Sequence, residues 1–257
     1  MAGAPADRAR AGEGEAAASV GWREVWTGVD ATESTWLAYS GTTIAPFGGI
    51  HDPGLRFRFA GGYGQYAYSG RRRDLSQPEG WRLRHFEAEA AFSDALLGYL
   101  WRIGPLTAKG FVGAAGIGHS ITPLDPDNAV DGLEWGAKGV VELWLNIGDD
   151  AWASLDTSYT TAHDTYAARA RLGYRILPTL SIGLEAGLNG NAIGSEGFLS
   201  SRVTDGPYQP IDYQNGRGGA FIRYEWYGGE LSLSAGVSGD IAEPTTPYAT
   251  INWLTQF

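Results

Sequence analysis

Cysteine is absent from the 257 residues. That excludes disulfides, zinc–thiolate centres and cysteine nucleophiles. It suits an exported protein without identifying one. Long apolar runs are also missing. The longest, Ala95 to Ile103, is interrupted by Gly98 and Arg102, and a helix needs about 18 apolar residues to cross a bilayer. The first twenty residues hold no apolar core of the kind a signal peptide carries. The expectation is therefore a mature chain behind a start Met1. Residues 1–20 read as a disordered Ala/Gly/Glu tail, and residues 21–257 as one domain. Positive charge is scarce as well: 19 Lys and Arg against 29 Asp and Glu leave a net charge of -10. Nucleic acid is a poor partner for such a surface.

Mean hydropathy is only -0.21, which looks soluble. A membrane β-barrel puts apolar residues at every second position, so a low average does not exclude one. Glycine and aromatics are abundant, with 38 Gly, 13 Tyr and 10 Trp. Tyr and Trp suit interfacial belts, because each couples an apolar ring to a polar handle. The last residues are consistent with this. Ala249, Ile251, Trp253 and Thr255 alternate with Thr250, Asn252, Leu254 and Gln256, and the chain closes on Phe257. A terminal aromatic on a short amphipathic strand is how outer-membrane barrels end. The final strand must pair with the first, because lipid cannot satisfy an open sheet edge.

Period-two alternation recurs upstream. Tyr166, Ala168, Ala170, Leu172, Tyr174 and Ile176 face away from Arg169, Arg171 and Arg175. Leu180, Ile182, Leu184, Ala186 and Leu188 oppose Ser181, Gly183, Glu185 and Gly187. Leu231, Leu233, Ala235 and Val237 oppose Ser232, Ser234 and Gly236. In residues 133–147, Glu134, Lys138, Glu142 and Asn146 form the polar set, with Val140 and Trp144 out of place on it. Segment boundaries give strands at 21–31, 34–45, 54–68, 81–103, 106–121, 132–147, 151–163, 165–177, 179–193, 214–227, 229–240 and 247–257. The fold class is therefore all-β: a single-chain transmembrane antiparallel β-barrel of about twelve strands, with both termini periplasmic. Short turns such as Gly104-Pro105 and Gly228-Gly229 alternate with long polar segments at 70–80, 122–131 and 194–213. The 81–103 segment far exceeds the ~10 residues needed to cross. The charges change parity there, from Arg82 and Arg84 to Glu87 and Glu89, so a bulge is expected at His85.

Chemistry-bearing motifs are few. His119 and His163 lie near strand ends, and a barrel-rim hydrolase would need one of them beside a hydroxyl and a carboxylate. No motif assembles that set, so no catalytic residue, metal or cofactor is expected. Asp125, Asp127, Asn128 and Asp131 lack the spacing of a calcium loop and read as an Asx turn. Gly61-Gly62-Tyr63-Gly64 and the glycines of 113–118 precede no helix, so they are not phosphate loops. Arg71-Arg72-Arg73 reads as a solvated loop able to meet lipopolysaccharide phosphates. The candidate functional surface is the inward charged set: Arg56, Arg58, Lys138, Glu142, Asp156, Arg169, Arg171, Arg175, Glu185, Arg223 and Glu225. Arg82, Arg84, Glu87 and Glu89 extend it. Such charges either pair into a closed network or line a narrow aqueous passage.

Tyr39-x-Gly41, Ala45-Pro46, Gly54-x-Arg56-x-Arg58 and Gly61-Gly62-Tyr63-Gly64-x-Tyr66-x-Tyr68 resemble the opening of the cellulose biosynthesis protein BcsS family. Leu97-Gly98-Tyr99, Gly104-Pro105-Leu106 and Asp125-x4-Val130-x-Gly132-x3-Gly136-x-Lys138-Gly139 are similar too. The resemblance implies an exported outer-membrane protein of Gram-negative cells, in a cellulose-secretion context, with no enzymatic activity. Expected partners are outer-membrane lipid and lipopolysaccharide, and polysaccharide or cellulose-export proteins. The expected role is a narrow pore or a structural partner of the export machinery. The alternatives are a general small-solute porin and a lipid-modifying enzyme at the outer rim.

Overall fold

A computed structural model describes residues 21–74, 76, 80–125, 128, 130–191, 213–239 and 245–257. The tail 1–20 and the segment 192–212 lie outside the described residues. Twelve strands form: β1 (Arg23–Thr32), β2 (Thr35–Ile44), β3 (Gly54–Arg73), β4 (Trp81–Ile103), β5 (Leu106–Thr122), β6 (Gly132–Ile147), β7 (Ala151–Thr160), β8 (Thr165–Leu177), β9 (Leu180–Asn191), β10 (Tyr213–Trp226), β11 (Gly229–Gly239) and β12 (Thr246–Gln256). A short 3-10 turn, Ala162–Asp164, joins β7 to β8. Each strand pairs antiparallel with its sequence neighbours, and β12 pairs with β1 to close the barrel. Closure runs from Glu24 opposite Gln256 to Thr32 opposite Tyr248. No sheet edge remains open to lipid. Gly21, the first described residue, and Phe257 lie at the end with the tight turns, here the turn end; the opposite end is the loop end. Gly104 and Gly228 sit in two-residue turns at φ 57° and 77°, a region that favours glycine.

Side chains alternate as the sequence predicts, with the apolar set outside. Leu172, Leu184, Ile182, Leu233 and Ile251 are exposed on the outer wall. Exposed Tyr99, Trp101, Tyr174, Tyr224 and Trp253 ring the turn end, and Trp36, Tyr63, Trp135 and Tyr159 the loop end. An apolar band between two aromatic girdles is the surface that a bilayer wets. Arg169, Arg171, Glu185 and Arg223 point the other way.

The lumen is not uniformly polar. Val140 packs with Leu96 and Phe111, and Trp144 with Trp152 and Phe221. That is why Val140 and Trp144 break the alternation of β6: they belong to internal clusters. Room for these rings comes from glycine on the neighbouring strand. Trp152 lies opposite Gly173, and Phe221 opposite Gly183. A Cβ at either glycine would collide with the ring.

Two expectations need correction. β3 runs on to Arg73, so the loop after it shrinks to residues 74–80. No bulge occurs at His85, because β3 and β4 pair without a break from Gly54–Leu100 to Arg73–Trp81. Only from Glu87 onward does β4 also pair with β5. The excess length is a two-stranded projection at the loop end, joined by a ladder without a break. Unbroken alternation from buried Phe86 and Ala88 puts Glu87 and Glu89 on the outer face, not in the lumen. Arg82 and Arg84 are exposed on the projection. Among the described residues, one register irregularity occurs, between Arg175 and Leu177.

Candidate functional site: the charged lumen

Long charged side chains on non-adjacent strands meet across the barrel. Arg58 on β3 pairs with Glu142 on β6. Lys109 on β5 reaches Glu142 at 3.3 Å and Glu24 on β1 at 3.4 Å. Arg217 on β10 pairs with Asp30 on β1. Lys138 meets Asp94 at 2.5 Å. Arg223 contacts Glu225 at 2.8 Å and also pairs with Glu230. Arg58–Glu142, Lys109–Glu24, Arg217–Asp30 and Lys138–Asp94 are crossbars, since each ties strands that the sheet does not join directly, whereas Lys109–Glu142 and Arg223–Glu230 join neighbouring strands and Arg223–Glu225 lies within β10.

Glu185, 4% exposed, is the hub of the opposite wall. Its Oε2 accepts from Arg169 Nη2 at 2.5 Å, Arg171 Nε at 3.2 Å and Ser234 Oγ at 3.0 Å. Its Oε1 accepts from the Tyr248 hydroxyl at 2.8 Å. Thus β8, β9, β11 and β12 share one carboxylate. A buried carboxylate with this many donors meets the condition under which a buried charge is tolerated.

Between the two networks lies a cavity of about 210 Å³. Its charged lining balances: Glu24, Glu142, Asp156 and Glu230 against Arg58, Lys109, Arg171 and Arg223. The volume holds several waters and is below the roughly 300–1,000 Å³ of ordinary ligand pockets. Trp26 and Trp144 also line it. The Arg58 guanidinium lies 4.9 Å over Trp26, and the Arg223 guanidinium 4.6 Å over Trp144. A guanidinium therefore covers one face of each ring that could stack on a sugar.

Of the residues singled out by sequence, Arg58, Glu142, Asp156, Arg169, Arg171, Glu185, Arg223, Glu225 and Lys138 converge on the lumen. Arg56 and Arg175 stand apart at the turn end. Arg56 is buried and donates to the carbonyls of Gly49 at 3.2 Å, Ile50 at 3.1 Å and Asp52. Arg175 donates to the Asp149 carbonyl at 3.0 Å and to Asn146. Both secure turns. In the turn beside Arg56, burial pushes the His51 imidazole below its ordinary pKa, against its bond to Gln256. Sequence reasoning missed Glu24, Asp30, Asp94, Lys109, Arg217 and Glu230. Most sit among glycines, aromatics or alanines that blur the alternation, and a partner several strands away leaves no local signal; Glu230 continues the polar set of β11 but follows directly on the Gly228-Gly229 turn.

The Arg71–Arg73 run and the acidic loop also change meaning. Asp125, 1% exposed, accepts from Arg72 Nε at 2.6 Å and from the Tyr68 hydroxyl at 2.7 Å. Asn128 donates to the Tyr68 oxygen at 2.8 Å. Arg72 is thus a buried latch and no part of a solvated loop. The side chains of Arg71 and Arg73, and residue Asp127, lie outside the described residues.

Fold and site together define a small transmembrane β-barrel whose lumen is filled by paired charges. Its sequence profile assigns it further. Residues 24–197 match the family described as cellulose biosynthesis protein BcsS, and the chain belongs to that family. No curated protein matches it. Among solved structures, the KdgM porin aligns over 91% of this chain and 99% of its own at 8% identity, with a TM-score of 0.49. The translocator domain of autotransporter NalP from Neisseria meningitidis covers 94% of this chain and 90% of its own at 11% identity, TM-score 0.46. Omp33 from Acinetobacter baumannii covers 92% and 98% at 13% identity, TM-score 0.41. These are likenesses of barrel shape alone.

Proposed function

We propose that this chain is an outer-membrane accessory barrel of cellulose synthesis, a structural partner of the export machinery whose lumen does not carry the glucan. The outward apolar band supports the membrane placement, and the family supports the cellulose context. The crossbar system carries the choice of role. Lys109–Glu24, Arg58–Glu142 and Arg217–Asp30 span the interior, and a glucan strand would have to break them and pay their desolvation. A neutral sugar polymer offers no charge in exchange, and each Trp that would grip it has one face capped by a guanidinium group.

Deleting the chain from its native cell should lower secreted β-glucan, and unchanged secretion would overturn the cellulose role. Purified barrel inserted into planar bilayers should give no conductance steps at high occupancy. Frequent steps of uniform size would overturn the closed-lumen reading. They would favour the second reading, a small-solute channel, which the balanced 210 Å³ cavity supports.

A further inference from the structure

The loop-end mouth holds a histidine pair that neither the crossbars nor the latch uses. His119 points inward from β5, and His163 sits on the turn between β7 and β8. Their ring centroids are 5.4 Å apart with planes at 74°. Each ring is held from behind through Nδ1. His163 Nδ1 lies 3.0 Å from Glu134 Oε2, and His119 Nδ1 lies 3.1 Å from the Tyr66 hydroxyl. The His163 side chain is only 6% exposed. Its Nε2 is buried and has no hydrogen-bond partner among the described residues. A buried polar atom in that state needs an explanation, an ordered water or a bound ion among them.

The backbone adds a second sign. Among the described residues, two non-glycine residues have positive φ, and they are neighbours: His163 at 49° and Asp164 at 46°. Left-handed backbone at non-glycine positions costs of order 1–3 kcal/mol and concentrates at functional sites. Here it tucks the turn inward, with Ala162 buried, and carries the His163 ring to His119. Glu134 also accepts the His163 backbone N–H at 3.0 Å, which fixes the turn.

We propose that His119 and His163 bind one divalent transition-metal ion, zinc or copper, through their Nε2 atoms. Imidazole nitrogen prefers these ions to magnesium or calcium. With a metal–nitrogen distance of about 2.0–2.1 Å and tetrahedral angles, two ligating rings have centroids about 5 Å apart, close to the separation seen. An Nδ1–H donated to a carboxylate or an oxygen leaves Nε2 with its lone pair, and this is how metal-binding histidines are usually oriented. Glu134 and Tyr66 fill those positions. Among the described residues no group of three or more His, Asp or Glu ligands is assembled. Water completes the coordination shell. The ion would clamp the β7–β8 turn to β5 and narrow the mouth.

The test adds one equivalent of Cu2+ to the full chain, refolded in detergent, and records its electron paramagnetic resonance spectrum. The expected spectrum shows splitting from two imidazole nitrogens. Zn2+ titration should give one ion per barrel. His119→Ala and His163→Ala should each weaken it at least tenfold, and Glu134→Gln about tenfold through lost orientation. His51→Ala and His85→Ala should bind as the parent does. A spectrum with one nitrogen or none, or binding that follows His51 or His85, overturns the site. The parent spectrum needs no variant to fold, and gel mobility with and without boiling reports whether each variant has folded.

Discussion

Glu185 shows how one residue can organise a lumen. It collects Arg169, Arg171, Ser234 and Tyr248 from three other strands. Removing its charge takes from Arg169 and Arg171 the one carboxylate that both bond, and leaves Asp156, opposite Arg169 on β7, as the nearest remaining acid. Glu185→Gln keeps the shape and loses only the charge. It should destabilise the barrel by about 3 kcal/mol, the low end of the range for a broken buried pair, because the lumen is wet. Urea unfolding midpoints in detergent would measure this, and a change under about 1 kcal/mol would show that the hub is redundant. Arg169 and Arg171 were legible as inward charges because β8 and β9 alternate cleanly. Their convergence on one carboxylate was not. Local sequence gives the parity of a side chain, but the crossing partner depends on strand stagger around the whole barrel.

At the scale of elements, β3 and β4 are the outliers. Their 20 and 23 residues exceed what a bilayer needs, and the end of the hairpin pairs with nothing but itself. An isolated two-stranded ribbon is marginal in water. Its support is the cluster Tyr68, Phe86, Ala88, Ile121 and Val130, locked by Arg72 and Asp125. Asp125→Ala should free this projection while the barrel stays folded. Limited trypsin digestion should then cut after the arginines at 71–73, 82 or 84 at least about tenfold faster, since losing a buried pair lowers local stability by more than 1.4 kcal/mol. Equal cleavage rates would mean that the ladder alone holds the hairpin. The sequence showed the excess length of β4, and the parity change at His85 suggested a bulge. That inference failed because it assumed every charge on β4 faces the lumen. Above the bilayer the outer face is wetted too, so Glu87 and Glu89 sit there at no penalty.

For the whole molecule, the decisive property is which face is greasy. Leu184 is 66% exposed midway along β9, opposite Leu172 on β8 and Ala220 on β10. In an ordinary globular sheet that position would be buried or polar. In a bilayer it contacts acyl chains, and a cation there costs about 2–4 kcal/mol near the midplane. Leu184→Arg should therefore lower stability by that amount in lipid vesicles. The comparison is Ala220→Arg at the neighbouring outward position, which should behave alike. Gly187→Arg enters the crowded lumen beside Arg217 and should fail by repulsion, a loss that high salt partly restores. A mid-bilayer arginine has no such remedy, because salt does not enter the hydrocarbon. Denaturant midpoints at low and high salt separate the two mechanisms. If Leu184→Arg proved neutral in vesicles, the outer wall would not face lipid, and the barrel would belong in water.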